Sequence, residues 1–122
     1  MRNAADPKAV KDAARKEKER ATRLRDNLQE VLGTASGRLV LWELMGMAGV
    51  YESVFHRDAG VMAYHAGRQD FGHRILADVI ATDATLYVLM EREARERDDR
   101  DRVGTEDAAQ PGATTEERSN VT

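Results

Sequence analysis

The 122-residue chain contains no cysteine, only two prolines and one tryptophan, and few aromatic residues in all. The missing cysteines exclude disulfides, thiolate metal sites and a cysteine nucleophile. There is no run of about 18 apolar residues, and the N-terminus lacks the apolar segment of a secretory signal, so we expect no membrane span and a protein made in the cytoplasm. A chain of this length forms one domain at most, with a small core.

Charge is unevenly placed along the chain, although the formal net charge of −3 is small. Residues 1–32 carry nine basic and six acidic side chains, whereas residues 91–122 carry six basic and ten acidic ones. Both ends are too polar to belong to a compact core. The sequence therefore predicts three parts: a charged arm at 1–32, a compact helical domain at 33–100 and a disordered polar tail at 101–122.

The fold class indicated is all-α, a small bundle of about four helices. The first helix is long, because residues 7–32 are rich in strong helix formers, begin after a capping Asp6 and a first-turn Pro7, and end at Gly33. Its first half is only weakly apolar, so we expect that half to project as an arm. Its second half carries a seam able to pack on the domain, formed by Leu24, Leu28 and Val31.

Three further helices are expected, each preceded by a residue that can cap free backbone N–H groups. They cover about residues 37–48, 59–81 and 84–99, after Ser36, Asp58 (or Ala59) and Asp83. The second helix should be buried on most sides, because its apolar residues surround the helix axis instead of forming one stripe. The segment GVYESVFHRDAG that follows it breaks the helical period and is interpreted as an ordered loop.

Two glycines, Gly67 and Gly72, lie within or beside the apolar arc of the third helix, near Tyr64 and Phe71. Each costs about 1 kcal/mol relative to alanine in a helix, so a compensating contact is expected. We favour close approach of another helix, or a bulky ring lying on bare backbone, over a ligand-approach role, because no strand precedes these glycines as a phosphate loop requires. The candidate rings are those of Trp42 and Tyr87.

Arg68 falls on the buried side of the same helix, where an arginine must pair or extend its charged end to solvent. Glu43 is the one acid on the second helix and Glu93 lies on the fourth, so either could accept a bidentate bond from the guanidinium. We therefore predict an intramolecular ion pair that fixes the register of the helices. The alternative is an arginine that projects from a groove toward a partner.

The sequence predicts neither a catalytic site nor a metal site. His65 and His73 are eight residues apart, too far for a pair on adjacent helical turns, and no acid completes a ligand set with them. Ser36 and Ser53 have no nearby base and no nucleophile elbow. We therefore expect a non-enzymatic protein that uses no metal and no cofactor.

The N-terminal helix is a candidate nucleic-acid contact, because seven basic and three acidic side chains lie between Lys11 and Arg25. The interleaved acids favour a solvated or protein-binding helix instead, since such mixtures form pairs at i,i+4 spacing. No aromatic residue is available there for stacking on bases. The basic candidates are Lys11, Arg15, Lys16, Lys18, Arg23 and Arg25.

Dispersed positions give the chain a resemblance to a known family. The segments GRLVLWELMGMAGVYESVF, AYHAGRQDFGHRILADV and LYVLMERE, at about residues 37–93, resemble small helical proteins encoded in the head and portal gene clusters of tailed bacteriophages, usually of unassigned role. The long N-terminal helix and the polar tail lie outside the resemblance. The matching positions are Arg38, Trp42, Gly49, Phe55, Gly67, Arg68, Gly72, Leu76, Tyr87, Met90 and Glu93.

The resemblance implies a protein of the phage particle or its assembly, found in the host cytoplasm during assembly and then in the virion. The first expected function is a helical adaptor that contacts capsid, portal or internal ejection proteins, with a homo-oligomer left open and no membrane contact. The alternative is a small nucleic-acid-associated protein whose basic helix contacts packaged DNA. The candidate structural and interface residues are Trp42, Glu43, Tyr64, Gly67, Arg68, Phe71, Gly72, Tyr87 and Glu93.

Overall fold

The computed structural model describes residues 6–109, which form four α-helices and no strand. The helices are α1 (Pro7–Leu32), α2 (Ala35–Met47), α3 (Ala59–Thr82) and α4 (Ala84–Ala108). The predicted all-α fold with a long N-terminal helix is confirmed. Within the described range, no helix is both long and apolar enough to cross a membrane.

Every helix begins beside a side chain that accepts hydrogen bonds from its free backbone N–H groups. The predicted caps Asp6, Asp58 and Asp83 are confirmed. The predicted cap of α2, Ser36, is wrong, because Thr34 caps this helix by accepting a bond from the Gly37 N–H at 3.0 Å. Gly37 lies in a tight corner, where a Cβ would come within 1.9 Å of the Val31 carbonyl oxygen. This corner folds α2 back immediately after α1.

A small apolar core lies where the four helices meet. Its largest fully buried side chains are Leu32, Met45, Val79 and Met90. Helix α1 reaches this core through Leu32 and the partly buried Leu28. The predicted seam is therefore correct only at Leu28, since Leu24 and Val31 are exposed. Packing of α1 on the other helices decides which of its faces turns inward, and the periodicity of α1 carries no signal of that packing.

Helix α2 is less buried than its composition predicts. Met45 is its only fully buried residue, and Leu41 and Trp42 are half-buried. Val40, Leu44 and Met47 are exposed, so the prediction of burial on most sides is wrong. The physical reason is that the contacts of α2 with the other three helices leave part of its surface uncovered, and its apolar composition does not determine which part.

Helix α4 continues well past the predicted end of the compact domain at residue 100. It runs to Ala108, so residues 101–108 of the predicted polar tail are helical. The prediction of disorder for these residues is wrong, because charged pairs at helical spacing, Arg95 with Glu91 and Arg102 with Asp99, support this polar helix. The remainder of the predicted disordered tail, residues 110–122, lies outside the described residues.

Asp83 joins three helices. Its carboxylate accepts bonds from the Thr85 and Leu86 N–H groups of α4 and from Gln29 Nε2 of α1. Its backbone N–H donates to the Val79 carbonyl at the end of α3. The Thr85 hydroxyl, followed by the Leu86 N–H, holds the pKa of Asp83 below its ordinary value of 3.8. A carboxyl whose pKa is lowered by folding stabilises the fold above its unfolded pKa and loses this effect as the pH falls through its folded pKa.

Replacing Asp83 with alanine should therefore lower the melting temperature at pH 7, and this difference from the wild type should shrink as the pH falls below about 3.8. Thermal unfolding followed by circular dichroism between pH 2 and pH 7 measures the effect. Asp98→Ala, at an exposed position of the same helix, is the matched control and should show little difference at any pH. A difference that stayed constant with pH would contradict the role of the ionised carboxylate.

Candidate functional site

The first half of α1 stands away from the other helices. Every residue from 7 to 27 is exposed except Asp12, which is half-buried beside Arg15. The ion pairs of this segment lie within α1 itself: Arg15 with Asp12 at 3.7 Å and with Glu19 at 4.0 Å, and Arg20 with Glu17 at 2.9 Å. We call residues 7–20 the α1 arm. Its surface is free for contacts outside the bundle.

The six basic candidates for nucleic-acid contact are all exposed, but they do not form one surface. At about 100° per residue, four of them share one face of α1 and two lie on another. The first group is Lys11, Arg15, Lys18 and Arg25, and the second is Lys16 and Arg23. Arg15 is also held by two acids of its own helix. A narrow basic face therefore runs along α1, beside neighbouring acidic side chains.

Gly72 is the site of a close approach. A Cβ added there would lie 2.6 Å from both Ala48 Cβ and Val50 Cγ2, which follow the end of α2. Close packing at Gly72 is thus confirmed, but the covering groups are small aliphatic side chains and not the predicted rings of Trp42 or Tyr87. Gly67 differs, because a Cβ there would meet nothing within 4 Å. The predicted compensating contact at Gly67 is wrong for the described part of the chain.

The predicted ion pair of Arg68 with Glu43 or Glu93 is wrong. Glu93 instead accepts a 2.6 Å bond from Nε of Arg38, whose Nη1 also donates to the Leu32 carbonyl at 2.9 Å. Glu43 is exposed. The Arg38–Glu93 pair thus joins α2 to α4 and to the end of α1, which is the register-fixing role that the sequence predicts for Arg68.

Arg68 lies against the loop that follows α2. Its guanidinium stands 5.8 Å from the centre of the Tyr64 ring and beside Gly49, whose φ of 72° is the left-handed conformation that glycine adopts readily. Its Nε is buried and has no hydrogen-bond partner among residues 6–109. The adjacent Gln69 donates from Nε2 to the Gly49 and Glu52 carbonyls, which holds the loop on α3.

Tyr64 and Phe71, placed by the sequence in the apolar arc of α3, are exposed on its surface. Helix α3 packs on the core through Gly72 and Val79, so the two rings lie outside its buried face. His56 of the loop and His65 of α3 lie near each other, with ring centres 6.3 Å apart. No group of three histidine or acidic side chains in the described range is placed to hold a metal ion.

A pocket lined by aromatic residues lies between α2, the loop and α4. Its lining consists of Trp42, Tyr51, Tyr87, Glu91 and Arg95, and its volume is about 230 Å³. The Trp42 and Tyr51 ring centres are 5.7 Å apart, and the Tyr51 and Tyr87 hydroxyls share a hydrogen bond. We call this the aromatic pocket. Sequence periodicity does not predict this pocket, because Tyr51 belongs to a loop.

The Tyr51 hydroxyl is held in its neutral form. Burial raises its pKa above the ordinary value of 10.0, and the hydrogen bond with Tyr87 and the nearby Glu91 carboxylate raise it further. A phenol in this environment acts as a hydrogen-bonding group and not as a base near neutral pH. The pocket therefore presents neutral rings beside the Glu91–Arg95 ion pair.

A family model described as Bbp19-like phage protein matches residues 28–91, which is just over half of the chain. The chain belongs to the Bbp19-like phage protein family. The matched segment begins near the end of α1 and covers α2, α3 and the first turns of α4. The α1 arm lies outside it. The expectation of a phage protein, drawn from the resemblance, is thereby confirmed. No curated protein and no solved structure matches the chain.

Proposed function

We propose that this Bbp19-like phage protein is a non-enzymatic adaptor of the phage particle or of its assembly. The observation that carries the proposal is the α1 arm, an exposed charged helix that extends from a small bundle. An isolated helix of about a dozen residues is marginal in water, and the arm gains little from its own bundle. A protein partner that covers the arm would supply the missing stabilisation.

The partners we propose are capsid, portal or internal ejection proteins, encountered in the host cytoplasm during assembly and retained in the virion. The resemblance to proteins of head and portal gene clusters supports this choice. The mixed charges of the arm also suit a protein partner, because paired acids and bases at a protein interface give specificity of partner and register. No step of this proposal requires catalysis, a metal or a cofactor.

A second candidate function is contact with packaged DNA. The observation that favours it is the basic face of α1 formed by Lys11, Arg15, Lys18 and Arg25. Binding through these side chains should weaken steeply as salt rises, because each phosphate contact releases counterions. Titration of the protein with duplex DNA at about 50 mM and 200 mM salt separates the two functions, since an adaptor interface with an apolar component is much less sensitive to salt.

Deletion of residues 1–20 tests the adaptor proposal. The shortened protein keeps Leu28 and Leu32 and should therefore remain a cooperatively folded helical bundle. We expect it to be missing from purified phage particles when it replaces the wild-type protein. Deletion of residues 110–122 is the matched control and should leave incorporation nearly unchanged. Normal incorporation of the protein without its arm, or loss of the fold on deletion, would refute the arm as a separate contact.

A further inference from the structure

The aromatic pocket has the composition of a site for a positively charged group. Trp42, Tyr51 and Tyr87 contribute three rings, and Glu91 contributes a carboxylate at the same opening of about 230 Å³. We propose that this pocket binds the cationic end of a lysine or arginine side chain from a protein partner. The site differs from the α1 arm in position and chemistry, so the inference does not rest on the proposed adaptor role of the arm.

The rings supply an attraction that is specific for cations. The face of an aromatic ring carries partial negative charge, and a cation within about 6 Å of its centre is stabilised, most strongly by tryptophan. The Trp42 and Tyr51 ring centres lie 5.7 Å apart with the ring planes inclined at 32°, so the two rings pack against each other and form one aromatic wall of the pocket. A flat guanidinium can stack on such a wall, and an ammonium can sit over its face.

The pocket is held in shape before any ligand arrives. The hydrogen bond between the Tyr51 and Tyr87 hydroxyls ties the loop after α2 to α4. Pre-formed walls lower the ordering cost of binding. The negative charge of Glu91 that contributes to the raised pKa of Tyr51 also favours a cation at this opening.

Arg95 already places a cation at the edge of the pocket. It forms an ion pair with Glu91, one helical turn earlier on α4, while its own side chain remains 72% exposed. Such exposed pairs are weak, so an incoming basic side chain can replace Arg95 at the carboxylate. Arg95 is thus an internal competitor, and its removal should strengthen binding. If Arg95 itself bound an anionic ligand, its removal would weaken binding instead.

Four residues of the pocket, Trp42, Tyr51, Tyr87 and Glu91, lie inside the segment matched by the family model, whereas Arg95 and the α1 arm lie outside it. The contact surface proposed on the bundle is thus separate from the arm in sequence. A partner that uses both surfaces would place a basic segment at the pocket and a separate surface along α1.

Titration of the full-length protein with single amino-acid amides tests the inference. Trp42 is the only tryptophan, so its fluorescence reports directly on the pocket. The probes are N-acetyl-arginine amide and N-acetyl-lysine amide, and the control is N-acetyl-citrulline amide, which has nearly the shape of the arginine probe without its charge. We expect a saturable change with at least one cationic probe and binding at least several-fold weaker for citrulline. Equal binding of arginine and citrulline would overturn the proposal.

Four variants sharpen the test, each checked for unchanged helix content. Glu91→Gln and Tyr87→Leu should weaken binding of the cationic probe by about threefold or more. Arg95→Gln should strengthen it. Tyr64→Leu, which removes an exposed tyrosine from α3, should leave it unchanged. Loss of binding in Arg95→Gln, together with binding of N-acetyl-glutamate amide by the wild type, would instead identify an anion site and contradict the inference, as would the absence of any saturable response.

Discussion

Replacing Glu93 with leucine should lower the free energy of unfolding by about 3 kcal/mol, the largest loss we expect from one exchange of a polar side chain. The Arg38 and Glu93 side chains are only 12% and 21% exposed. Loss of the carboxylate leaves the Arg38 guanidinium largely enclosed, with the Leu32 carbonyl as its remaining bonded acceptor. An enclosed charge without its counter-charge is strongly destabilising, more so than the absence of both charges.

The double variant Arg38→Met with Glu93→Leu separates the ion pair from simple packing. It should cost less than the sum of the two single exchanges, because no charge is left without its partner. Arg20→Met, which breaks the exposed pair with Glu17 on α1, is the control and should cost less than about 1 kcal/mol. Urea unfolding of the wild type, the two single variants, the double variant and the control measures these differences. Additive losses, or a loss in Glu93→Leu no larger than in the control, would contradict the role of the pair.

Replacing Gly72 with valine should cost about 3 kcal/mol, whereas the same exchange at Gly67 should change stability by no more than about 0.5 kcal/mol. The two glycines lie in one helix, but only Gly72 has neighbours where its Cβ would be, at 2.6 Å from Ala48 and Val50. Room for the valine at Gly72 requires α3 to move away from the end of α2. Equal losses at the two positions, measured by urea unfolding, would show that helix propensity and not packing governs both.

Local signals in the sequence were sufficient to place most of the helices. Asp6, Asp58 and Asp83 can accept bonds from backbone N–H groups one turn into the next segment, and this requirement is met within a few residues of chain. Their helices were therefore predicted with nearly correct starts. Ser36 failed because Thr34 offers the same chemistry two residues earlier, and only the tight corner at Gly37 decides between them.

Contacts between distant segments were much harder to predict. Arg68 lies on the inner side of α3 as expected, but of its two predicted partners Glu93 pairs with Arg38 and Glu43 is exposed. Periodicity along one helix gives the face on which a residue lies and not which neighbouring helix covers that face. The arrangement of the four helices, which decides the pairing, is a property of the whole chain.

The same limit explains why burial of α2 was overestimated and why the aromatic pocket was missed. An apolar surface around the α2 axis is compatible with full burial or with an uncovered side, and the structure leaves Val40, Leu44 and Met47 exposed. Trp42 and Tyr87 were identified as packing groups for the glycines of α3. Their actual neighbour is Tyr51, a loop residue whose position depends on Gly49 and on the contacts of Gln69.

The central claim, that this protein acts in the phage particle or in its assembly, is tested most directly by quantitative mass spectrometry of purified phage. Mature particles and empty precursors from the same infection should be compared, with a host protein of similar size as the measure of contamination. We predict a reproducible copy number of this chain, far above that of the host protein, in at least one of the two fractions. Its absence from both, while the protein is abundant in the infected cell, would contradict the account.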